Sequence, residues 1–342
     1  MSTPILSPVA LTNPAALIAA IPHLLGFHPE NSLVLITHVN RRKPRIGIVL
    51  RADLPAPSQC HVLATQLMTP VRNAKAIAVS AVVVGGNDNP NDRRLVDAIR
   101  SVFAERGIAT AHRLWVPHIG RDAPWRCYDD DACRGRLPDP RGTEFAAISV
   151  AAGVVTRGSR ADLIASLDHD DGIDVAKRAE LITMIAEDAE LPNTPGAIVA
   201  AREKLAVVEK TITAMRTESL KLDNDLVVRL AVALREHRVR DACMDLDVEM
   251  TPAAEQLWLA LTRMVPEPER AEPACLFAIA CYLRGDGAMA SIAIECARTA
   301  DPGHELAAML GEVLYRAVSP ARLREITRRA GRIARLALAG AR

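Results

Sequence analysis

The sequence predicts an α/β domain followed by an all-α domain. The first domain, residues 1–140, is an N-terminal mixed β-sheet with flanking helices, and the second, residues 141–342, is helical. Two observations lead to this prediction. Strand-like apolar runs alternate with helix-like periods in the first part and vanish after Arg141. The chain of 342 residues is also long enough for two separate cores.

The first N-terminal elements are defined by capping and turn residues. Asn13 and Pro14 suit a helix start, because Asn caps well and Pro fits the first turn. Gly26 ends this helix. Leu33–Val39 and Ile46–Leu50 then read as two strands joined by a polar turn, which predicts a hairpin.

The next segments predict a strand, a helix and a strand in succession. After a helix over residues 58–72, Ala76–Val84 is a nearly continuous apolar run, typical of a strand buried on both faces. A helix up to about Arg106 and the strand Ala109–Val116 follow, and this order implies a parallel pair. Trp125–Tyr128 is predicted as an antiparallel edge strand, which gives a sheet of about five strands.

The second half carries helical periods separated by Pro and Asp turns, as in a bundle or a short solenoid. Residues 271–304 resemble a tetratricopeptide repeat. Ala278, Ala290 and Ala297 occupy the small positions of such a hairpin, and Gly285 begins its turn. Since one repeat cannot bury both of its faces, a plain helical hairpin that packs without binding a ligand is an equal alternative.

The C-terminal segment, residues 319–342, predicts a basic amphipathic helix. It carries seven Arg and one Glu. Its predicted apolar face, at helical spacing, comprises Leu323, Ile326, Ala330, Ile333 and Ala337. Such a helix can bind a membrane surface, nucleic acid or an acidic partner. We favour the alternative of a capping helix with a solvated arginine face, since it holds no Trp or Phe to anchor it in lipid.

Composition narrows the class of protein. The net charge of +1, from 42 basic and 41 acidic residues, argues against nucleic-acid binding except through the basic C-terminal helix. Seven cysteines, with no signal peptide, do not suggest a disulfide framework. No apolar run reaches the ~18 residues of a membrane span. We therefore expect a cytoplasmic protein.

Several segments in their order resemble a known family. They are "IPHLLGFHPENSLVLI", "RIGIVLRADLP", "RLWVPHIG" with "PWRCYDDDAC", "FAAISVAAGVVTRGSRADLIASL" and "FAIACYLRGDGAMASIAIECARTADPGHELAAML". Together, from about Leu6 to about Ser319, they resemble the uncharacterised actinobacterial family catalogued as domain of unknown function 4192. The resemblance implies an architecture but neither a reaction nor a functional residue.

Two turns next to predicted strands are candidate ligand sites. The first lies before the strand at Leu33 and the second follows the strand that ends at Val84, where open α/β sheets bind ligands. Simple turn formation is the favoured alternative for both. The candidate ligand-binding residues are His28, Glu30, Asn31, Ser32, Asn87 and Asp88.

The loop from Cys127 to Cys133 holds two thiols and three carboxylates, with His118 nearby. Zinc sites use Cys and His ligands, usually with two to four residues between the paired ligands. The gap here is longer and no second pair follows. Cys127 and Cys133 are therefore only weak metal candidates, and we predict no metal and no cofactor. The preferred interpretation of this loop is a polar hairpin tip.

Two functions fit these patterns. The first is a non-enzymatic protein-interaction or assembly module that binds a protein partner through the helical half. The alternative is a small-molecule-binding protein or enzyme with a pocket at the edge of the N-terminal sheet. It requires the loops His28–Ser32, Gly85–Asn91 and Cys127–Cys133 to converge. No catalytic residue and no oligomeric state follow from the sequence.

Overall fold

A computed structural model describes residues 13–40, 42, 45–85, 90–151, 155–172, 174–187, 195–216, 220–246 and 250–340. The chain forms two compact units. One comprises the residues up to Leu163 together with Tyr315–Val318, and the other comprises Ile164–Leu314 and the residues from Ser319 onward. The α/β and all-α classes predicted for the two halves are confirmed.

The first unit alternates helices and strands. Asn13 caps the first helix through its side chain, and Gly26 ends it with a φ of 76°. The described elements, in chain order, are α1 (Pro14–Leu25), β1 (Ser32–Val39), β2 (Arg45–Asp53), α2 (Cys60–Asn73), β3 (Ala78–Val84), α3 (Pro90–Ala104), β4 (Ala109–Val116), β5 (Pro124–Cys127), β6 (Arg134–Arg136), α4 (Glu144–Ala151) and α5 (Arg160–Ala165).

The strands form one six-stranded mixed sheet in the order β2-β1-β3-β4-β5-β6. As predicted, β1 and β2 form an antiparallel hairpin and β3 and β4 are parallel. The antiparallel strand predicted near Trp125 is confirmed as β5. Its predicted place at the edge was wrong, because β6 pairs with β5 and becomes the edge. The segment Arg134–Arg136 escaped prediction since its Arg-Gly-Arg sequence has no apolar alternation.

Helices cover both faces of this sheet. On one face, Leu33 and Leu35 of β1 and Val83 of β3 pack with α2 and α3 in a single apolar cluster. On the other face, Ala20 of α1 packs with Phe145 of α4. The residues of β3 from Val79 to Val84 are almost entirely inaccessible, as expected for a strand buried on both sides.

The regular elements that the structure describes in the second unit are all helices. Its helices are α6 (Val175–Glu187), α7 (Pro195–Met215), α8 (Asn224–Arg235), α9 (His237–Ala242), α10 (Thr251–Met264), α11 (Ala271–Arg284), α12 (Gly287–Ala300), α13 (Glu305–Tyr315) and α14 (Pro320–Ala339). Buried arginines join them. Arg270 Nε donates to the Thr262 carbonyl at 2.7 Å, and its Nη2 donates to the Leu167 carbonyl.

The helices α11 and α12 form the hairpin expected over residues 271–304. Gly285 ends α11 in the left-handed conformation at a φ of 97°, and Ala278, Ala290 and Ala297 are buried, as close helix packing requires. The relation to tetratricopeptide repeats remains a prediction.

The predicted apolar face of α14 was wrong apart from Leu323. The stripe that packs inward is Leu323, Thr327, Gly331, Ala334 and Leu338. Ile326 and Ile333 remain 46% and 59% exposed. Small residues prevail because the backbone approaches its neighbours closely. A Cβ atom at Gly331 would lie 2.5 Å from the Cβ of Asp245.

A polar pair lies inside the sheet. His38 Nε2 and Ser80 Oγ are 2.7 Å apart, and both residues are buried. Burial, with a smaller contribution from the charge of His112, lowers the pKa of His38 to about 4. The neutral imidazole is therefore the form that the folded protein accommodates.

This pKa predicts a loss of stability in mild acid. Above pH 6.5 His38 is neutral in both states and has no effect. As the pH falls from 6.5 to 4, the unfolded chain binds the proton first, so the free energy of unfolding decreases, by up to about 3 kcal/mol from this residue. Denaturant unfolding at several pH values should show a flatter dependence for His38→Gln. The exposed His61→Gln control should follow the native curve, and equal slopes in all three proteins would contradict the assignment.

Candidate functional site

The first predicted turn and the start of the second meet at one edge of the sheet. Asn31 adopts a positive φ of 42° and Gly85 a φ of 91°. The two are so close that a Cβ atom at Gly85 would lie 2.7 Å from Asn31 Oδ1. Trp115 Nε1 donates to the Gly85 carbonyl at 3.0 Å. The candidates Asn87 and Asp88 lie outside the described residues.

The polar groups at this edge stabilise the turn. Ser32 Oγ donates to the Glu30 carbonyl at 2.6 Å and accepts from Arg51 Nε at 2.8 Å. Arg51 also pairs with Asp53 at 2.6 Å. The hydroxyl of Ser32 is thus engaged within the sheet edge, while Glu30 is exposed. The contribution of Arg51 was not predicted, although its place at the end of the neighbouring strand could have suggested it.

His28 lies beside Ile119 and His23. Burial lowers the pKa of His28, and a hydrogen bond with the Ile119 backbone opposes that shift. His23 is held by Thr156 Oγ1 and the Pro140 carbonyl, each at 3.0 Å. Both imidazoles thus fasten loops around the first unit. The ligand role predicted for the edge residues remains a prediction.

The third loop follows β5, which is not a direct neighbour of the strands that carry the first two turns. Cys127 pairs with Leu114, two residues before β4 ends, and Tyr128 continues along β4 toward Arg113. The strand order places β5 three strands from β1, or about 14 Å across the sheet. The chain beyond Cys127 therefore runs away from the edge that holds Asn31. Arg93 Nη2, in the first turn of α3, donates to the Tyr128 carbonyl at 3.1 Å, so the third loop lies beside the helix that follows the second turn. The convergence of the three loops on one pocket remains a prediction.

The Cys127–Cys133 loop is the tip of the hairpin between β5 and β6. The amide of Cys127 donates to the Cys133 carbonyl at 2.8 Å, and both thiols are free and half-buried. Partial burial and the neighbouring Cys127 thiol raise the pKa of Cys133. Asp129, in the same loop, pairs with the buried Arg113 of β4. Among the described residues, no group of three or more His, Cys, Asp or Glu could hold a metal ion.

These environments predict a reactivity order for the thiols. Cys127 and Cys133 should be alkylated by iodoacetamide before Cys243, Cys275 and Cys281, which are buried and whose pKa values burial raises. Peptide mass spectrometry over time would measure the order, with guanidinium-unfolded protein as the control in which all thiols react. Early labelling of the three buried thiols would contradict it.

The helical unit contains a cysteine, a histidine and a carboxylate in a row, which sequence analysis missed because His304 lies far along the chain from Glu272 and Cys275. Cys275 Sγ lies 3.7 Å from His304 Nδ1, and His304 Nε2 lies 3.2 Å from Glu272 Oε1. Arg240 Nη1 pairs with Glu272 at 3.3 Å. The order of groups is that of a nucleophile, a base and an orienting acid.

The surroundings of Cys275, His304 and Glu272 indicate a structural role for this row. Cys275 is fully buried, and burial raises its pKa, so the thiolate is disfavoured. His304 Nδ1 already accepts from the Ala307 amide at 3.2 Å, which caps α13. Burial opposes ionisation of Glu272, but the hydrogen bond from His304 and the charge of Arg240 keep its pKa below the ordinary value. The row therefore connects α9, α11 and α13.

Removing this carboxylate should destabilise the protein. Glu272→Ala leaves the nearly buried Arg240 with one carboxylate fewer, which should cost about 3 kcal/mol in the free energy of unfolding. The matched control is Glu325→Ala, which breaks the exposed pair with Arg322 and should cost less than about 0.5 kcal/mol. Urea unfolding would measure both. Equal losses in the two variants would refute the structural role.

The described part of α14 presents a second candidate surface, made of Ile326, Arg329, Arg332, Ile333 and Leu336, here called the α14 face. Ile326, Ile333 and Leu336 are 46%, 59% and 71% exposed. Positions 326, 329, 333 and 336 follow one another at three or four residues, so they share one side of the helix. Arg332 stands one turn before Leu336. Among the described residues neither Arg329 nor Arg332 pairs with a carboxylate.

The opposite side of α14 is firmly attached. Arg335 pairs with Glu209 of α7 at 2.5 Å, and Arg202 Nη2 donates to the Leu338 carbonyl at 2.6 Å. Ser319 caps the N-terminus through a bond from the Arg322 amide at 3.3 Å. The α14 face is thus a feature of a helix that is fixed along its length.

Comparison with known proteins gives one match. A family model described as Domain of unknown function (DUF4192) covers residues 14–321 of the chain. No curated protein and no solved structure matches the chain. Within the described residues, no helix combines the length and apolarity needed to span a bilayer.

Proposed function

Since the chain belongs to the family described as Domain of unknown function (DUF4192), we propose its function from its own surfaces: it is a non-enzymatic protein-interaction module. Its helical unit binds an acidic amphipathic helix of a partner protein through the α14 face. The single observation that carries this proposal is the exposure of Ile326, Ile333 and Leu336 beside two arginines, Arg329 and Arg332, that have no carboxylate partner among the described residues.

The apolar part of the face supplies the area that binding requires. Three large aliphatic side chains on one side of a helix, those of Ile326, Ile333 and Leu336, remain in water. Isolated exposed apolar residues are ordinary, but a row at helical spacing is what helix-to-helix recognition uses. A partner helix with its own apolar stripe would remove this row from water.

The charged part of the face selects the partner. Arg329 lies between Ile326 and Ile333, and Arg332 lies beside Leu336. The acidic residue of α14, Glu325, already pairs with Arg322 at 2.6 Å. The face is therefore positive, and complementary charge favours a partner whose apolar stripe is flanked by Asp or Glu.

An acidic protein helix suits the α14 face better than an anionic membrane or a nucleic acid. Helices that lie in membranes carry large apolar faces with aromatic anchors, whereas α14 holds no aromatic residue. Nucleic acids attract arginines but gain little from exposed isoleucine and leucine. The α14 face combines both kinds of contact on a short length of helix.

Peptide binding tests the proposal. A designed helical peptide of about 20 residues, with a leucine stripe flanked by glutamates, should bind the full-length protein in fluorescence anisotropy. The double substitution Ile333→Glu and Leu336→Glu should weaken binding about tenfold or more, because it places charge in the apolar contact. The matched control is Met309→Glu, at a side chain that is 58% exposed on α13, and it should leave binding unchanged.

Charge exchange separates specific pairing from general attraction. Arg329→Glu and Arg332→Glu together should weaken binding of the acidic peptide and permit binding of a peptide with lysines in place of the glutamates. Arg94→Glu, on the exposed side of α3, is the control. Tighter binding to anionic vesicles or to single-stranded DNA that the Arg329 and Arg332 exchange abolishes, or an affinity for the peptide that no substitution changes, would overturn the proposal.

A further inference from the structure

A second surface lies in the α/β unit, at the β4–β5–β6 end of the sheet. Here a cavity of about 410 Å³ is lined by two tryptophans, a proline, a glycine and three arginines. Its volume is within the range of small-molecule sites. None of these residues belongs to the predicted edge site or to the α14 face, so the cavity needs an explanation of its own.

The strand register explains how these side chains come together. Trp115 pairs with Arg126, and Arg126 pairs with Arg134, so the three occupy one row across the sheet. Pro124 pairs with Arg136 two residues further along the same face. The guanidinium of Arg126 lies 5.2 Å from the centre of the Trp115 ring, within the range of a cation–π contact.

The second tryptophan, Trp125, follows Pro124 and precedes Arg126 in β5, so its side chain lies on the opposite face of the strand from theirs. Trp125 is buried and pairs with Gly135. A Cβ atom at Gly135 would lie 3.1 Å from Trp125 Nε1, so the absence of a side chain lets the indole lie flat against the strand. Trp125 therefore packs behind the strands, while Trp115 supplies the aromatic surface of the cavity and arginines form its rim.

The rim is strongly positive. Among the residues that the structure describes, no acidic one lines the cavity. In the described part of the chain, Arg134 has no carboxylate partner, and Arg136 donates from Nη1 to the Asp122 carbonyl at 2.8 Å. Both side chains are exposed. Two guanidinium groups in water, next to an aromatic surface, can bind a phosphate without first breaking an ion pair.

We infer that this cavity binds the base and phosphate of a nucleotide unit, the base against the Trp115–Arg126 surface and the phosphate between Arg134 and Arg136. Bases stack on aromatic rings and on guanidinium planes, and arginine binds phosphate through paired hydrogen bonds. Such a unit has two sources, a free nucleotide or a single strand of nucleic acid, which share this chemistry. The site is independent of the α14 face.

Tryptophan fluorescence provides a direct test, because two of the three tryptophans of the chain line the cavity and Trp258 lies in the other unit. Adenosine monophosphate and a single-stranded oligoadenylate of about ten nucleotides are titrated into the full-length protein. Saturable quenching by the mononucleotide identifies a free-nucleotide site, and saturable quenching by the oligonucleotide alone identifies a single-strand site.

Matched variants decide whether the signal comes from the cavity. Arg134→Ala with Arg136→Ala should raise the dissociation constant about tenfold or more, since two charged hydrogen-bond donors are lost. Arg106→Ala, at an exposed residue outside the cavity, should leave it unchanged. Adenosine without phosphate should bind more weakly than the monophosphate. Absence of saturable quenching with both probes, or equal affinity in the double variant, would overturn the inference.

Discussion

The α/β unit depends on one constraint: β3 must be covered on both faces while it pairs with β1 on one side and β4 on the other. Its residues from Val79 to Val84 are almost wholly inaccessible. Helices must therefore lie on both sides of the sheet. A polar side chain in this strand must have a hydrogen-bond partner inside the sheet. Ser80 satisfies this condition through His38, in the middle of the sheet.

A comparable rule governs the buried charges. Arg113 of β4 is nearly inaccessible, and it pairs with Asp97 of α3 and Asp129 of the β5–β6 hairpin. One guanidinium thereby joins a helix, a strand and a hairpin. In the helical unit Glu272 has the same position between Arg240 and His304. The buried ionic groups of this protein thus connect secondary-structure elements. This structural role explains side chains, such as Glu272, that would otherwise suggest a catalytic site.

Local sequence patterns were sufficient for most elements. The apolar run before Gly85 and the segment from Ala109 to Val116 identify β3 and β4, because a buried strand requires a recognisable pattern of apolar residues. The three-residue strand β6 has no such apolar pattern. The inward side of α14 was also hidden, since close backbone approach at Gly331 outweighed the larger area of Ile326 and Ile333. Contacts such as Cys275 with His304 depend on the arrangement of distant helices, which single-sequence patterns do not contain.

The close contact at Gly331 has a wider consequence. It is a contact between backbones, so the position of α14 depends little on the identity of its outward side chains. Residues such as Ile326, Arg329 and Leu336 can then change without loss of the fold. A helix held in this way keeps its position while the side chains on its exposed side vary. Proteins that share this scaffold could thus differ in the molecules they recognise while keeping the same architecture.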